Sequence, residues 1–169
     1  MTKKMPNKDE CLYIYEMLDA GLINFTYIHP WADKLIGATE ALPSWLCDLS
    51  TKKYQGDLIK ALGEYVFSEP FEPVPADIEK FHVACLYLRY ERHELSWATF
   101  LSETGKYLDG VNGGLDCETP YHYLNIVQDF NFSLDAEEQT KKQYLEDHEL
   151  EPWIKLAKEK YKPFLDLKM

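Results

Sequence analysis

The sequence predicts an all-α protein: a single-domain bundle of about seven or eight short helices around a central buried helix, with stacked helical hairpins as one arrangement open to it. Three observations carry this. Apolar residues recur at helical spacing in segment after segment, and no stretch alternates convincingly as a half-buried strand would. Caps and breakers punctuate those segments at helix-like intervals. The stretch from Pro75 to Arg92 is apolar over most of its circumference, as expected of a helix covered by others on several sides.

The first helix is expected from about Asp9 to Ala20, with Cys11, Ile14 and Leu18 inward and Gly21 placed to end it. A second covers Pro30 to Thr39, proline being tolerated where a helix begins. A third, short one begins near Pro43 and holds Trp45, Leu46 and Leu49. Gly56 interrupts before a fourth, Asp57 to Phe67, whose Leu58, Leu62 and Tyr65 share one face. Three prolines in the six residues from Pro70 to Pro75 exclude helix and predict an extended crossover to the central element.

In that central helix Ile78, Phe81, Cys85 and Leu88 fall at i, i+3, i+7 and i+10. Val83, Leu86, Tyr87 and Tyr90 cover a second face, leaving Asp77, Lys80, Ala84 and Glu91 for water. Pro75 suits its first position, and Asp77 and Glu79 complement the positive end of its dipole. Ser96 then caps a helix with Trp97, Phe100, Leu101, Thr104 and Leu108 on one side. The segment Asp109 to Asp116, with three glycines, reads as a loop. Thr119 as cap and Pro120 at the first position start a helix to about Phe130. Ser133 caps the next, which is polar apart from Leu134, Tyr144 and Leu145. Pro152 ends that run and opens the last helix, with Trp153, Leu156, Ala157 and Tyr161 as buried candidates. Residues 1–169 are expected to form one helical domain.

Composition narrows the function. A hydrophobic content of 46% with 14% aromatics gives enough core to exclude disorder. The net charge of −11 argues against nucleic acid and against anionic membranes, both of which recruit lysine and arginine. Cys11, Cys47, Cys85 and Cys117 are far apart with no C-x-x-C, as expected of reduced thiols in a cytoplasmic protein. No signal peptide and no apolar run of membrane-spanning length is expected. A monomer or weak dimer follows.

No catalytic or metal-binding residue and no cofactor is predicted. The five histidines show neither H-E-x-x-H nor zinc-like spacing with cysteine. Glu91, His93 and Glu94 cluster at a helix end, which reads as a solvated terminus. His82, Cys85 and Arg89 share the central helix's apolar face, the place for a core histidine and an arginine paired with a neighbouring carboxylate. The glycine loop lacks the oxygen donors of a calcium loop, because Val111 and Gly113 stand at its third and fifth positions.

The outstanding feature is acidic. From Asp109 to Glu151 eleven carboxylates face only Lys141 and Lys142, which concentrates −9 of the total charge there, with tyrosines interleaved. Such a field speeds encounter with a basic partner, and tyrosines make large anchors at low entropic cost. The predicted partner-binding residues are Asp116, Glu118, Tyr121, Tyr123, Glu137, Glu138, Tyr144, Glu146 and Asp147.

W-A-D-K-L-I (Trp31 to Ile36) followed by L-P-S-W-L-C-D-L-S (Leu42 to Ser50) resembles a pattern in small acidic bacterial proteins, some of immunity type encoded beside polymorphic or contact-dependent toxins. The resemblance implies a non-catalytic cytoplasmic protein that binds a toxin domain and blocks it. It transfers no binding residue, because the matched positions look like packing. Two other readings stand beside it: an enzyme using His82 and Arg89, or Glu91 and His93, in a pocket; and an adaptor holding a peptide along a helical groove.

Overall fold

A computed structural model describes residues 5–111 and 114–168, so Asn112 and Gly113 of the glycine loop lie outside the described residues. The described residues are helical or irregular, with no strand, and the all-α expectation holds. They form nine helices: α1 (Lys8–Asp19), α2 (Phe25–Ile36), α3 (Ser44–Thr51), α4 (Gln55–Val66), α5 (Ile78–Glu91), α6 (Trp97–Asp109), α7 (Glu118–Asp129), α8 (Leu134–Asp147) and α9 (Glu151–Lys168).

The chain clusters into two compact units, Met1–Val74 with Glu159–Met169, and Pro75–Lys158. In the first, α1 packs on α4, and α3 packs on both α2 and α4. Trp45 stacks on Tyr65 with ring centroids 4.5 Å apart, and Leu46, Leu49, Leu58 and Leu62 are fully buried. The end of α9 joins this unit through ring contacts of Tyr161 with Tyr27 and of Phe164 with Trp31. The proline segment is tied down by Lys8, which donates to the carbonyls of Ser68 and Pro70 at 2.6 and 2.8 Å. Phe71 to Pro75 is free of helix, as the prolines require.

In the second unit α5 packs on α6, α6 on α7 and α7 on α8, a run of helical hairpins. Every residue from Phe81 to Leu88 is buried, including Ala84, which was expected to face water. Its aromatic core joins Tyr87, Tyr90, Trp97, Phe100 and Tyr144; Trp97 stacks on Phe100 at 4.8 Å, and Tyr144 meets Phe100 edge-on at 6.0 Å. The Trp97 indole N–H donates to the Thr140 hydroxyl at 2.9 Å, which in turn donates to the Ala136 carbonyl at 2.7 Å. Two buried polar groups between α6 and α8 are thereby satisfied.

Several boundaries differ from expectation for local reasons. Asn24 caps α2, accepting from the Thr26 N–H at 2.9 Å, so the helix starts five residues before Pro30 and runs through it. Tight turns, Ile78 N–H to the Pro75 carbonyl and Lys80 N–H to Asp77, delay α5 to Ile78. Asp116, and not Thr119, caps α7, accepting from the Glu118 and Thr119 N–H groups at 2.6 and 3.2 Å.

Four helices stop in a Schellman geometry, with a left-handed residue after the cap and a 6→1 backbone bond closing the turn. Those residues are Gly21 after α1, His93 after α5, Asn131 after α7 and Glu149 after α8. Only the first is a glycine. The residue that follows folds back into the core at Leu22 (1% exposed) and Leu150 (0%).

Candidate functional site

The predicted partner-binding residues all lie on α7, α8 and the loop before α7, within the second unit. The structure divides them by role. Asp116 serves the backbone: besides the two N–H groups it caps, it accepts from the Thr119 hydroxyl, and chiefly this last bond holds its carboxyl below the usual carboxylate range. Glu118 is exposed in the first turn of α7, where the dipole favours a carboxylate. Tyr121 is half-buried over Gly105 of α6, where an added Cβ would meet its ring at 2.7 Å. It holds the α6–α7 hairpin together.

Tyr144 is a correction. It was expected as a surface anchor and is 0% exposed, enclosed by Phe100, Tyr123 and His148. At Thr140 and Tyr144, one turn apart, α8 turns its narrow apolar stripe to the core. Burial, then the charge of Asp116, pushes the Tyr144 phenol well up.

Tyr123, Glu146 and Asp147 do come together. The half-buried Tyr123 donates to the Asp147 carboxylate at 3.1 Å, and Gln143 donates to the same side chain at 2.6 Å. Burial and this bond raise the Tyr123 phenol. Beside them an open groove of about 450 Å³ runs along α7 and α8, lined by Tyr123, Ile126, Gln139, Lys142, Gln143 and Glu146. Glu137 and Glu138 stand elsewhere on α8. The Tyr90 hydroxyl donates to Glu137 at 2.6 Å, and Lys141 reaches Glu138 at 2.9 Å. Burial and the Glu137 carboxylate push the Tyr90 phenol up to about 12, while the Glu138 hydrogen bond takes the Lys141 ammonium to about 12.

Three of the carboxylates sit where their own helices do not want them. Asp129 is the last residue of α7, and Glu146 and Asp147 end α8; neither last turn contains a base. The negative end of a helix dipole favours cations, so these positions oppose the local electrostatics of folding.

Sequence reasoning missed the corner that joins α7 to α8. Phe130, Phe132 and Leu134 are 62, 58 and 77% exposed there. In the sequence Leu134 stands only as one of the few apolar residues of a polar helix, and Phe132 lies among the aromatics interleaved with the carboxylates. The signal was Asn131, a residue that tolerates the left-handed conformation and turns the chain outward.

The enzyme candidates have structural partners. The His82 ring, 4% exposed, stacks on Tyr107 with centroids 3.5 Å apart. Arg89 lies 3.5 Å from Glu94, which also pairs with Arg92; Glu91 pairs with Lys158 at 3.4 Å. Cys85 is a fully buried thiol outside any disulfide.

No family model, curated protein or solved structure matches this chain. The residues behind the immunity-type resemblance pack the first unit: Trp31 against Phe164, Trp45 on Tyr65, with Leu46 and Leu49 fully buried. Among the described residues, no helix is long and apolar enough to cross a membrane.

Proposed function

We propose that this chain is a non-catalytic binding protein of immunity type, which neutralises a basic toxin domain in the bacterial cytoplasm through the acidic α7–α8 surface. It acts as a monomer or weak dimer. The observation that carries the reading is the placement of Asp129 and Glu146 in the last turns of α7 and α8, where carboxylates disfavour the helix. Residues that break a local folding rule without a compensating partner are where function is to be sought. Their field accelerates the approach of a cationic protein, while Tyr123 and the adjoining groove supply contact area.

The groove favours a second reading, an adaptor that seats a peptide helix between α7 and α8. Co-expression separates the two. An immunity protein restores growth to cells expressing the toxic product of the neighbouring reading frame, and the α7–α8 charge-reversed form does not. No rescue by the unaltered chain contradicts the immunity reading.

A further inference from the structure

The α7–α8 corner shows its apolar residues where the same backbone device hides them elsewhere. After α1 and α8 the Schellman turn folds Leu22 and Leu150 into the core, at 1 and 0% exposure. After α7 the 6→1 bond, Phe132 N–H to the Val127 carbonyl at 2.8 Å, forms as well. Here, however, Phe132 itself is left-handed (φ 57°), directly after Asn131 (φ 56°), and its ring stays 58% exposed. A left-handed phenylalanine is disfavoured by its own Cβ, and this ring gains little burial in return. Phe130 and Leu134 flank it, at 62 and 77% exposure. Five residues thus hold three large exposed apolar side chains, bracketed by the exposed Asp129 and Asp135.

We propose that the Phe130–Phe132–Leu134 corner is the apolar anchor of the acidic face, and that its occupant is a protein surface with an apolar recess rimmed by lysine or arginine. The proposal rests on the reading of α7–α8 as a docking surface and adds the chemistry of the partner. Charge complementarity selects that occupant. A second copy of this chain, itself at −11, sets the same exposed Asp129 and Asp135 against their counterparts, and these carboxylates repel anionic lipid. Aromatic side chains at the centre of a patch, ringed by charge, match the anatomy of a protein interface, with desolvated anchors inside a polar rim.

The test uses two fluorescent helical peptides of equal positive charge, each of about 18 residues or five turns. One alternates lysine faces with leucine faces; the other carries serine in place of every leucine. At low salt the full chain should prefer the leucine peptide by about tenfold or more. The Phe130→Ser/Phe132→Ser variant should bind both peptides as the full chain binds the serine one. Phe132→Gly, which removes the ring and relieves the left-handed backbone, should lose part of the preference with the fold intact. Equal binding of the two peptides, with strong salt dependence, overturns the anchor and leaves the acidic face standing. Binding of neither peptide overturns both. Undiminished preference in the two variants, or a phenylalanine-dependent attachment to neutral phospholipid vesicles, also overturns the proposal.

Discussion

The Tyr144 hydroxyl lies in the core of the second unit with no hydrogen-bond partner among the described residues. Removing an unpaired buried hydroxyl while keeping the ring costs nothing in hydrogen bonding and lifts a desolvation penalty. Tyr144→Phe should therefore match or exceed the parent in chemical denaturation, whereas Tyr144→Ala should lose about 3–5 kcal/mol. A large loss in the phenylalanine variant would show that the hydroxyl is held by a bond. Tyr90 gives a pH prediction. Its phenol is raised from 10.0 to about 12 by burial and by Glu137. The unfolded chain releases this proton first, so the stabilising contribution is full below pH 10 and declines as pH rises toward 12. Urea midpoints between those pH values should fall less steeply in Tyr90→Phe than in the parent. An unchanged slope would remove Tyr90 from the alkaline transition.

Helices announced themselves through period and caps. Ser96 and Ser133 accept from the N–H groups three residues on, at 3.1 and 3.2 Å, as the sequence predicts. The stops were harder to read. Gly21 was legible because glycine is the ordinary left-handed residue; His93 and Glu149 hold the same conformation at φ 62° and 50°, which histidine signals only weakly and glutamate not at all. After α8 the packing beyond the turn goes with that geometry, Leu150 being fully buried at the exit. Both residues are exposed, so His93→Gly and Glu149→Gly should each raise stability by about 0.5–1 kcal/mol by removing a Cβ clash. A fall in the denaturation midpoint would mean that the side chains contribute more than the backbone strain removes. The starts of α2 and α7 escaped for a related reason. Pro30 and Thr119 satisfy general rules, but Asn24 and Asp116 reach the N–H groups first.

For the molecule as a whole, charge was legible in the sequence and the surface was not. Eleven carboxylates from Asp109 to Glu151 are countable without a structure. The Asp116 cap and the Gln143–Asp147 bond are local, but that Glu137 is spent on Tyr90 and Asp147 on Tyr123 depends on which helices become neighbours. Tyr144 moved from surface to core because α8 offers only a narrow apolar stripe, and Tyr144 fills it against Phe100. The carboxylates best suited to meet a partner are those at the ends of the helices. Lysine at Asp129, Glu146 and Glu149 should suit the C-terminal dipoles of α7 and α8, so the triple variant should melt no lower than the parent. Docking at this face predicts the opposite for binding, because surface charge acts mainly on encounter and is screened over roughly 8–10 Å near physiological salt. The direct measurement is the association rate of the parent and of the Asp129→Lys/Glu146→Lys/Glu149→Lys chain with a toxin domain that the parent neutralises in the co-expression test, at low and at physiological salt. The account predicts an intact or raised melting temperature with association slowed about tenfold at low salt, the gap narrowing as salt rises. Association at the parent rate under low salt would contradict it, leaving the acidic face to solubility alone.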